Sequence, residues 1–285
     1  MGEFDVKRTA KEQSGLFSIL KEILQNRRLI RRLAKNDFRA KFAGSYLGIV
    51  WAFVQPVITV LLYWFVFEKA LHAGTQSTKA GITVPYVLWL VAGLVPWFYF
   101  SDCWVSGTNV LLEYNYLVKK VVFRISVLPV VKMISGLFVH AFFIVFMIVL
   151  YGVYGHFPGV ILVQIFYYSF CVFVLALGLS YLTGAIVVFF RDLSQIVSIL
   201  LQVLIWVTPI MWNMEAINMN GTVQRILRLN PMYYVVSGYR DTMVSGVWFF
   251  EKPGMTLYFW IVAVVIFLLG TTVFRKLRPH FADVL

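Results

Sequence analysis

Three ionisable side chains, Asp102, Lys132 and His140, lie inside stretches that are otherwise almost wholly apolar. A charge in such a stretch is costly unless paired, so the default reading is functional, as an acid, a base or a proton relay. Their positions also fit a plainer one. Asp102 and Lys132 fall near one end of their stretches, where a side chain can snorkel its charge to water. His140 sits closer to the middle and suits a hydrogen bond between helices as well as proton relay. No His, Cys, Asp and Glu set has the spacing of a metal site, no Ser-centred elbow stands out, and the phosphate-cradling pattern G-x-x-x-x-G-K-[ST] is absent. The reading is therefore no catalytic residue, no metal ligand and no cofactor held by this chain, with ATP excluded from any P-loop of its own.

The elements that must position these groups follow from composition. Of 285 residues, 60% are hydrophobic and only 13% charged, which excludes an ordinary soluble domain. Several windows of about 20 residues lack any charge, the length a helix needs to cross a hydrocarbon core roughly 30 Å thick. Leu, Val, Ile and Phe occur in continuous runs rather than in alternation, which argues against a membrane barrel. The prediction is an all-α polytopic membrane protein with six spans, at residues 46–67, 86–106, 128–151, 160–188, 193–212 and 255–274. Pro56 and Pro96 fall inside the first two, tolerable as kinks in a bundle, and the length of the fourth implies tilt. Residues 1–45 form an N-terminal arm without the pattern of a secretory signal, and 46–285 the six-span unit. Cys103 and Cys171, both in apolar runs, suit neither a disulfide framework nor a cysteine metal site.

Charge sets the orientation. Eighteen Lys and Arg fall on the arm, residues 113–127, Arg191 and the C-terminal tail, against six on the opposite loops. Cationic loops stay in the cytoplasm, so both termini are placed inside. The net charge of +12 is then accounted for by topology and anionic lipid headgroups, not by nucleic acid. In the arm, Leu16, Leu20, Ile23, Leu24, Ile30 and Leu33 recur at helical spacing between basic residues, the pattern of an interfacial helix. Arg27, Arg28, Arg31 and Arg32 on its polar side could attract lipid headgroups, and Asp37 and Lys41 are spaced for an i,i+4 pair. Such a helix serves equally as an anchor or as a lever.

Two irregular regions remain. Residues 213–254 are too apolar for a solvated loop and are read as two short re-entrant or interfacial helices broken near Asn230-Pro231, shielded by the bundle. In residues 113–127, Leu117, Val118, Val121, Val122 and Ile125 share one helical arc and Lys119, Lys120, Phe123 and Arg124 the other, predicting an amphipathic helix at the cytoplasmic surface. Aromatic side chains make up 18% of the chain. Interfacial belts account for most of them, including the cluster at 97–104. Trp51 and Trp206, away from span ends and accompanied by Gln55 and Gln202, fit better as the lining of a path along which sugar rings slide.

The blocks "GSYLGIVWAFVQPVITVLLYWFVF", "AGLVPWFYFSDCW", "FFRDLSQIVSILLQVLIWVTPIMW" and "LNPMYYVVSGYRD" resemble, in order and over nearly the whole chain, the ABC-2 type permeases that export cell-surface polysaccharides. Within that family, "FAGSYLGIVWAFVQP" and "EYNYLVKKVVFRISVLPVVK" look most like the teichoic acid translocation subunit, with O-antigen and capsule permeases as close relatives. The resemblance implies two copies of this chain working with two copies of a separate ABC ATPase that holds ATP and Mg, and a lipid-linked polymer passing between the permease halves. It also implies a role for 113–127 as the coupling helix received by the ATPase, with Glu113, Tyr114, Asn115, Leu117, Lys119, Lys120 and Arg124 as contacts and Arg191 and Asp192 as a second one. A drug or lipid exporter of the same family, an integral membrane transferase and a passive channel are the competing readings.

Overall fold

The computed structural model describes residues 22–41, 46–77, 81–118, 124–214, 217 and 220–285. Nearly all of them are helical. Helix α1 spans Arg27–Lys41, α2 Trp51–Trp64, α3 Tyr86–Glu113, α4 Asn115–Val118 and α5 Leu128–Val153. They are followed by α6 Gln164–Val187, α7 Leu193–Val207, α8 Gly221–Arg228, α9 Pro231–Arg240, α10 Pro253–Leu277 and a last turn, α11 Phe281–Val284. Two-residue strands β1 Gln76–Ser77 and β2 Thr83–Val84 pair antiparallel between α2 and α3.

Among the described residues five helices are long and apolar enough to cross a membrane: Gly48–Ala70, Tyr86–Glu113, Ile125–Val153, Gly159–Val187 and Pro253–Val284. Each overlaps an expected span. The expected span at 193–212 is shorter, because α7 ends at Val207, where Thr208 turns to an extended conformation (φ −78°, ψ 126°). Pro209 is the reason: its ring disfavours the helical region for the residue before it. Fifteen residues of helix cover about 22 Å, and the path onward from 208 is a turn.

The core is α3, which packs against α5, α6 and α9, with α2 and α7 attached more lightly. Here the expectation of an aromatic belt at 97–104 is corrected. Trp97, Tyr99, Phe100 and Trp104 are buried, because α3 is surrounded by its neighbours along its length. Close approach of α6 to α10 depends on missing side chains. A Cβ on Gly270 would lie 2.3 Å from the Gly178 carbonyl oxygen, and one on Gly178 3.0 Å from the Phe267 backbone. In lipid, where apolar burial gives no preference for protein over solvent, such small-residue contacts are what holds helices together.

The region 213–254 contains the two expected short helices, and the break falls where expected. Asn230 caps α9, its side chain accepting from Met232 N at 3.0 Å, and Pro231 occupies the first turn, where a missing N–H costs nothing. The Asn230 amide also donates to Thr208 Oγ1 at 2.7 Å, fastening α9 to the broken end of α7.

Gly270→Ala is expected to lower stability by about 1–3 kcal/mol, since backbone rather than a flexible side chain must yield. Gly152→Ala, in α5 with open space around it, should not. Thermal unfolding of the two purified variants in detergent, followed by tryptophan fluorescence, checks the contrast.

Candidate functional site

Lys132 does not snorkel. It lies in the first turns of α5 with its side chain 9% exposed, and its Nζ is 2.7 Å from Asp37 Oδ1 of α1 and 2.5 Å from Glu113 Oε2 at the end of α3. Tyr114 donates its hydroxyl to the same Asp37 oxygen at 2.7 Å, and the Lys132 ammonium stands over the Tyr114 ring. Burial, reinforced by the Asp37 carboxylate, pushes the Tyr114 hydroxyl well above its ordinary range and keeps it a donor at physiological pH. The expected i,i+4 pair is thereby corrected. Asp37 faces inward with Ile30 and Ala34 on the face of α1 that packs on α5. Lys41 reaches instead to Asp102 of α3, 2.5 Å away and half exposed.

A second clamp joins the arm to the other end of the 113–127 segment. Glu22 accepts from Ser126 Oγ and faces Arg124 Nη1 at 3.7 Å and Arg278 Nη1 of the C-terminal tail at 3.9 Å. The described part of the arm is thus fixed at two points, Glu22 and Asp37, against the two ends of the segment that was to form a coupling helix. That segment is not one continuous helix. Tyr114 leaves the helical region (φ −100°, ψ 30°), helix is described again over Asn115–Val118, and Arg124 is non-helical (φ −85°, ψ 89°). Of the two arcs, the described residues are Val118 and Ile125, which are buried, Leu117, which is half-buried, and Arg124, which is exposed; Asn115 is exposed too. Lys119, Lys120 and residues 121–123 lie outside the described residues. Arg191 and Asp192 are exposed in the turn before α7. Ser194, two residues on, bonds Asn109 of α3 at 2.5 Å and fixes that turn at the same end of the bundle.

From this network a crevice runs inward between α2 and the α3–α5 pair. A cavity of about 450 Å³ lined by Asp37, Lys41, Asp102, Glu113 and Lys132 adjoins one of about 390 Å³ lined by Trp51, Gln55, Thr59, Asp102 and His140. Trp51 and Gln55, expected on the substrate path, therefore share a cavity with two of the three intramembrane ionisable groups. Gln202 and Trp206 lie elsewhere, on the outward face of α7 with Ile199 and Val203. His140 is stacked on Tyr99 (centroids 4.4 Å apart), with Nε2 3.0 Å from Ser169 Oγ and 3.1 Å from the Tyr239 hydroxyl. It joins α5, α6 and α9 at one node, the hydrogen-bonding role of the two open readings. Arg27, Arg28, Arg31 and Arg32 are exposed and line one shallow cleft on α1.

A bundle of this kind, with the arm built into it, is matched by the model of a known family, described as ABC-2 type transporter, over residues 28–244. The chain belongs to the ABC-2 type transporter family. The match starts within α1 and ends just after α9, so it takes in most of that helix and the bundle as far as α9, but not α10. Among similar proteins is the O-antigen export system permease protein RfbA of Myxococcus xanthus, 27% identical over 94% of this chain and 99% of its own length. A Klebsiella pneumoniae protein of the same name is also 27% identical, over 89% of this chain and 93% of its own. The polysialic acid transport protein KpsM of Escherichia coli is 22% identical, over 86% and 92%. What sequence reading missed is Glu22 and the pairing of Lys132 with Asp37. The signal was present in part: a lysine inside a span requires a counter-charge, although nothing local says which acid supplies it.

Lys132→Met leaves Asp37 buried without its cation and is expected to cost about 3–5 kcal/mol. Adding Asp37→Leu should recover part of that loss. Lys41→Met breaks only an exposed pair and should cost less than about 1 kcal/mol. Denaturant titration in mixed micelles distinguishes the three.

Proposed function

We propose that this chain is the permease subunit of an ATP-driven exporter carrying a cell-surface polysaccharide, of the O-antigen or capsular kind, across the bacterial cytoplasmic membrane. The observation that carries the reading is the double clamp of arm to segment 113–127, by Asp37 to Lys132 and Tyr114 and by Glu22 to Arg124 and Ser126. A push delivered at that segment by a partner moves α1, the end of α3 and the start of α5 together. ABC-2 permeases in general work with a separate ABC ATPase, and the absence of a P-loop here suits that division of labour. Full-length similarity to proteins named for O-antigen export and polysialic acid transport favours a glycan cargo over the teichoic acid that residues 42–56 and 113–132 resemble.

In the proposed assembly two copies of the chain stand with two ATPases. The crevice beside α2 that bears Trp51 and Gln55 and the outward face of α7 that bears Gln202 and Trp206 come together across the copies to line the path. Aromatic faces stack on sugar C–H surfaces without binding tightly, which lets a polymer slide. The exposed arginines at 27, 28, 31 and 32 draw in the anionic headgroup of the carrier lipid, each contributing on the order of 1 kcal/mol near a charged surface.

Depletion of the protein is expected to leave lipid-linked glycan inside the cell and to remove it from the surface, read by labelling intact and lysed cells. Accumulation of a polyol-phosphate polymer instead would return the cargo to teichoic acid, and normal surface polymer would sink the export reading. Lys119→Glu with Lys120→Glu should abolish co-purification of the ATPase while the protein still folds. Retention of both the ATPase and export would remove 113–127 from the coupling role.

A further inference from the structure

The crevice between α2 and the α3–α5 pair changes character along its depth. Its two cavities, about 450 and 390 Å³, meet at the Lys41–Asp102 pair, which lines both. Toward the arm the walls carry Asp37, Glu113 and Lys132. Past the pair come Trp51 and Gln55, four residues apart and so on one face of α2, and then an apolar lining that includes Val95, Phe98 and Phe143. Along α3, Phe98 and Val95 lie about 6 and 10 Å beyond Asp102 at 1.5 Å per residue.

Two features of this crevice are left open by the protein itself. Gln55 is exposed, and its side-chain amide has no hydrogen-bond partner among the described residues; Thr59 Oγ1 bonds only its backbone carbonyl, at 3.0 Å. It stands about 10 Å along the apolar stretch that begins at Gly48. At such a depth an amide without a partner is costly. The second feature is the Lys41–Asp102 pair, whose side chains are 44% and 42% exposed, unlike the buried Lys132–Asp37 pair. An ion pair so open contributes little by itself and exchanges partners readily. Residues 42–45, which follow Lys41, add no charged side chain. Once parted, Lys41 and Asp102 offer one cation and one anion side by side at the mouth of an apolar slot.

We propose that the crevice binds a glycerophospholipid whose headgroup carries a primary ammonium, of the phosphatidylethanolamine class. Lys41 meets the phosphate and Asp102 the ammonium, Trp51 and Gln55 donate to the ester carbonyls, and an acyl chain runs along Val95, Phe98 and Phe143. The order of the walls, charged, then hydrogen-bonding, then apolar, is the order of the lipid. An anionic headgroup would engage Lys41 and leave Asp102 unmatched, and a choline has no N–H to give to Asp102. Because α2 is attached lightly, the slot can widen to admit the chain. The site shares Trp51 and Gln55 with the path proposed above. Lipid binding is nevertheless read on the permease alone, without ATPase or polymer, so its failure and that of the export reading are told apart.

The test takes the purified full-length protein, stripped of lipid in detergent, and titrates it with phosphatidylethanolamine, phosphatidylcholine and phosphatidylglycerol of identical acyl chains. Native mass spectrometry counts the lipids retained. Phosphatidylethanolamine should be retained first, with the other two about tenfold weaker. Asp102→Asn should remove that preference and bring phosphatidylethanolamine to the level of phosphatidylcholine. Gln55→Leu should weaken both of these lipids about fivefold and leave the preference between them unchanged. Neither side chain is buried, so both variants should melt with the wild type. Thr59→Trp, which fills the inner cavity without touching any of the proposed donors, should abolish retention of all three lipids. Stronger retention of phosphatidylglycerol assigns the mouth to an anionic headgroup and overturns the proposal. Equal retention of the three lipids, an unaltered preference in Asp102→Asn or an unchanged affinity in Gln55→Leu overturns it as well.

Discussion

An ammonium group buried among apolar helices has to be neutralised where it stands, and the arm end of this molecule is arranged around that requirement at Lys132. Its two carboxylates come from different places, Asp37 from α1 and Glu113 from the last turn of α3. Satisfying one charge therefore fixes three elements relative to one another. The arm ceases to be an appendage. Its inward face buries Ile30 and Ala34 along with Asp37, and the placement of Tyr114, where α3 gives way to the 113–127 segment, follows from the hydrogen bond to the same carboxylate.

The opposite end solves a related problem with a different cation. Pro209 stops α7 short and leaves carbonyls of residues 209 and 210 turned away from any helix, in surroundings where water does not reach them easily. Arg240, carried on α9, supplies N–H donors to both, while Asn230 bonds Thr208 from the start of the same helix. Two short helices that would be marginal alone are held by closing the open end of a long one. Gly93 and Gly238 make room for this: a Cβ on the first would meet Arg240 at 3.1 Å, and one on the second would fall within the Tyr168 ring.

Between these ends the bundle is unequal in its stiffness. Helices α3, α6 and α10 approach through glycine and bury large aromatic side chains, and relative motion there would separate backbone from backbone. Helices α2 and α7 are held by fewer contacts and turn apolar, glutamine-bearing faces outward. A transporter needs both kinds of element, a frame that transmits force and walls that can part. The contact pattern makes the α3–α6–α10 core the stiffer part of the bundle and holds α2 and α7 more lightly.

Much of this was legible in the chain. Runs of apolar residues marked the order of the spans and the place of the five long ones because a helix in hydrocarbon satisfies its backbone only within itself, and the Asn230-Pro231 break showed because cap and proline act locally. The inward arc of Leu117, Val118 and Ile125 could be read for the same reason, a helical period being a near-neighbour property. What the sequence left open were matters of partner and direction. Asp37 was as well spaced for Lys41 as it proved to be placed for Lys132, and the aromatic residues at 97–104 were as suited to a membrane surface as to the core they form. Only the packed structure decided these, since an ion pair across 95 residues, or the burial of one helix by several others, depends on which faces meet. Composition along a single helix carries no record of that.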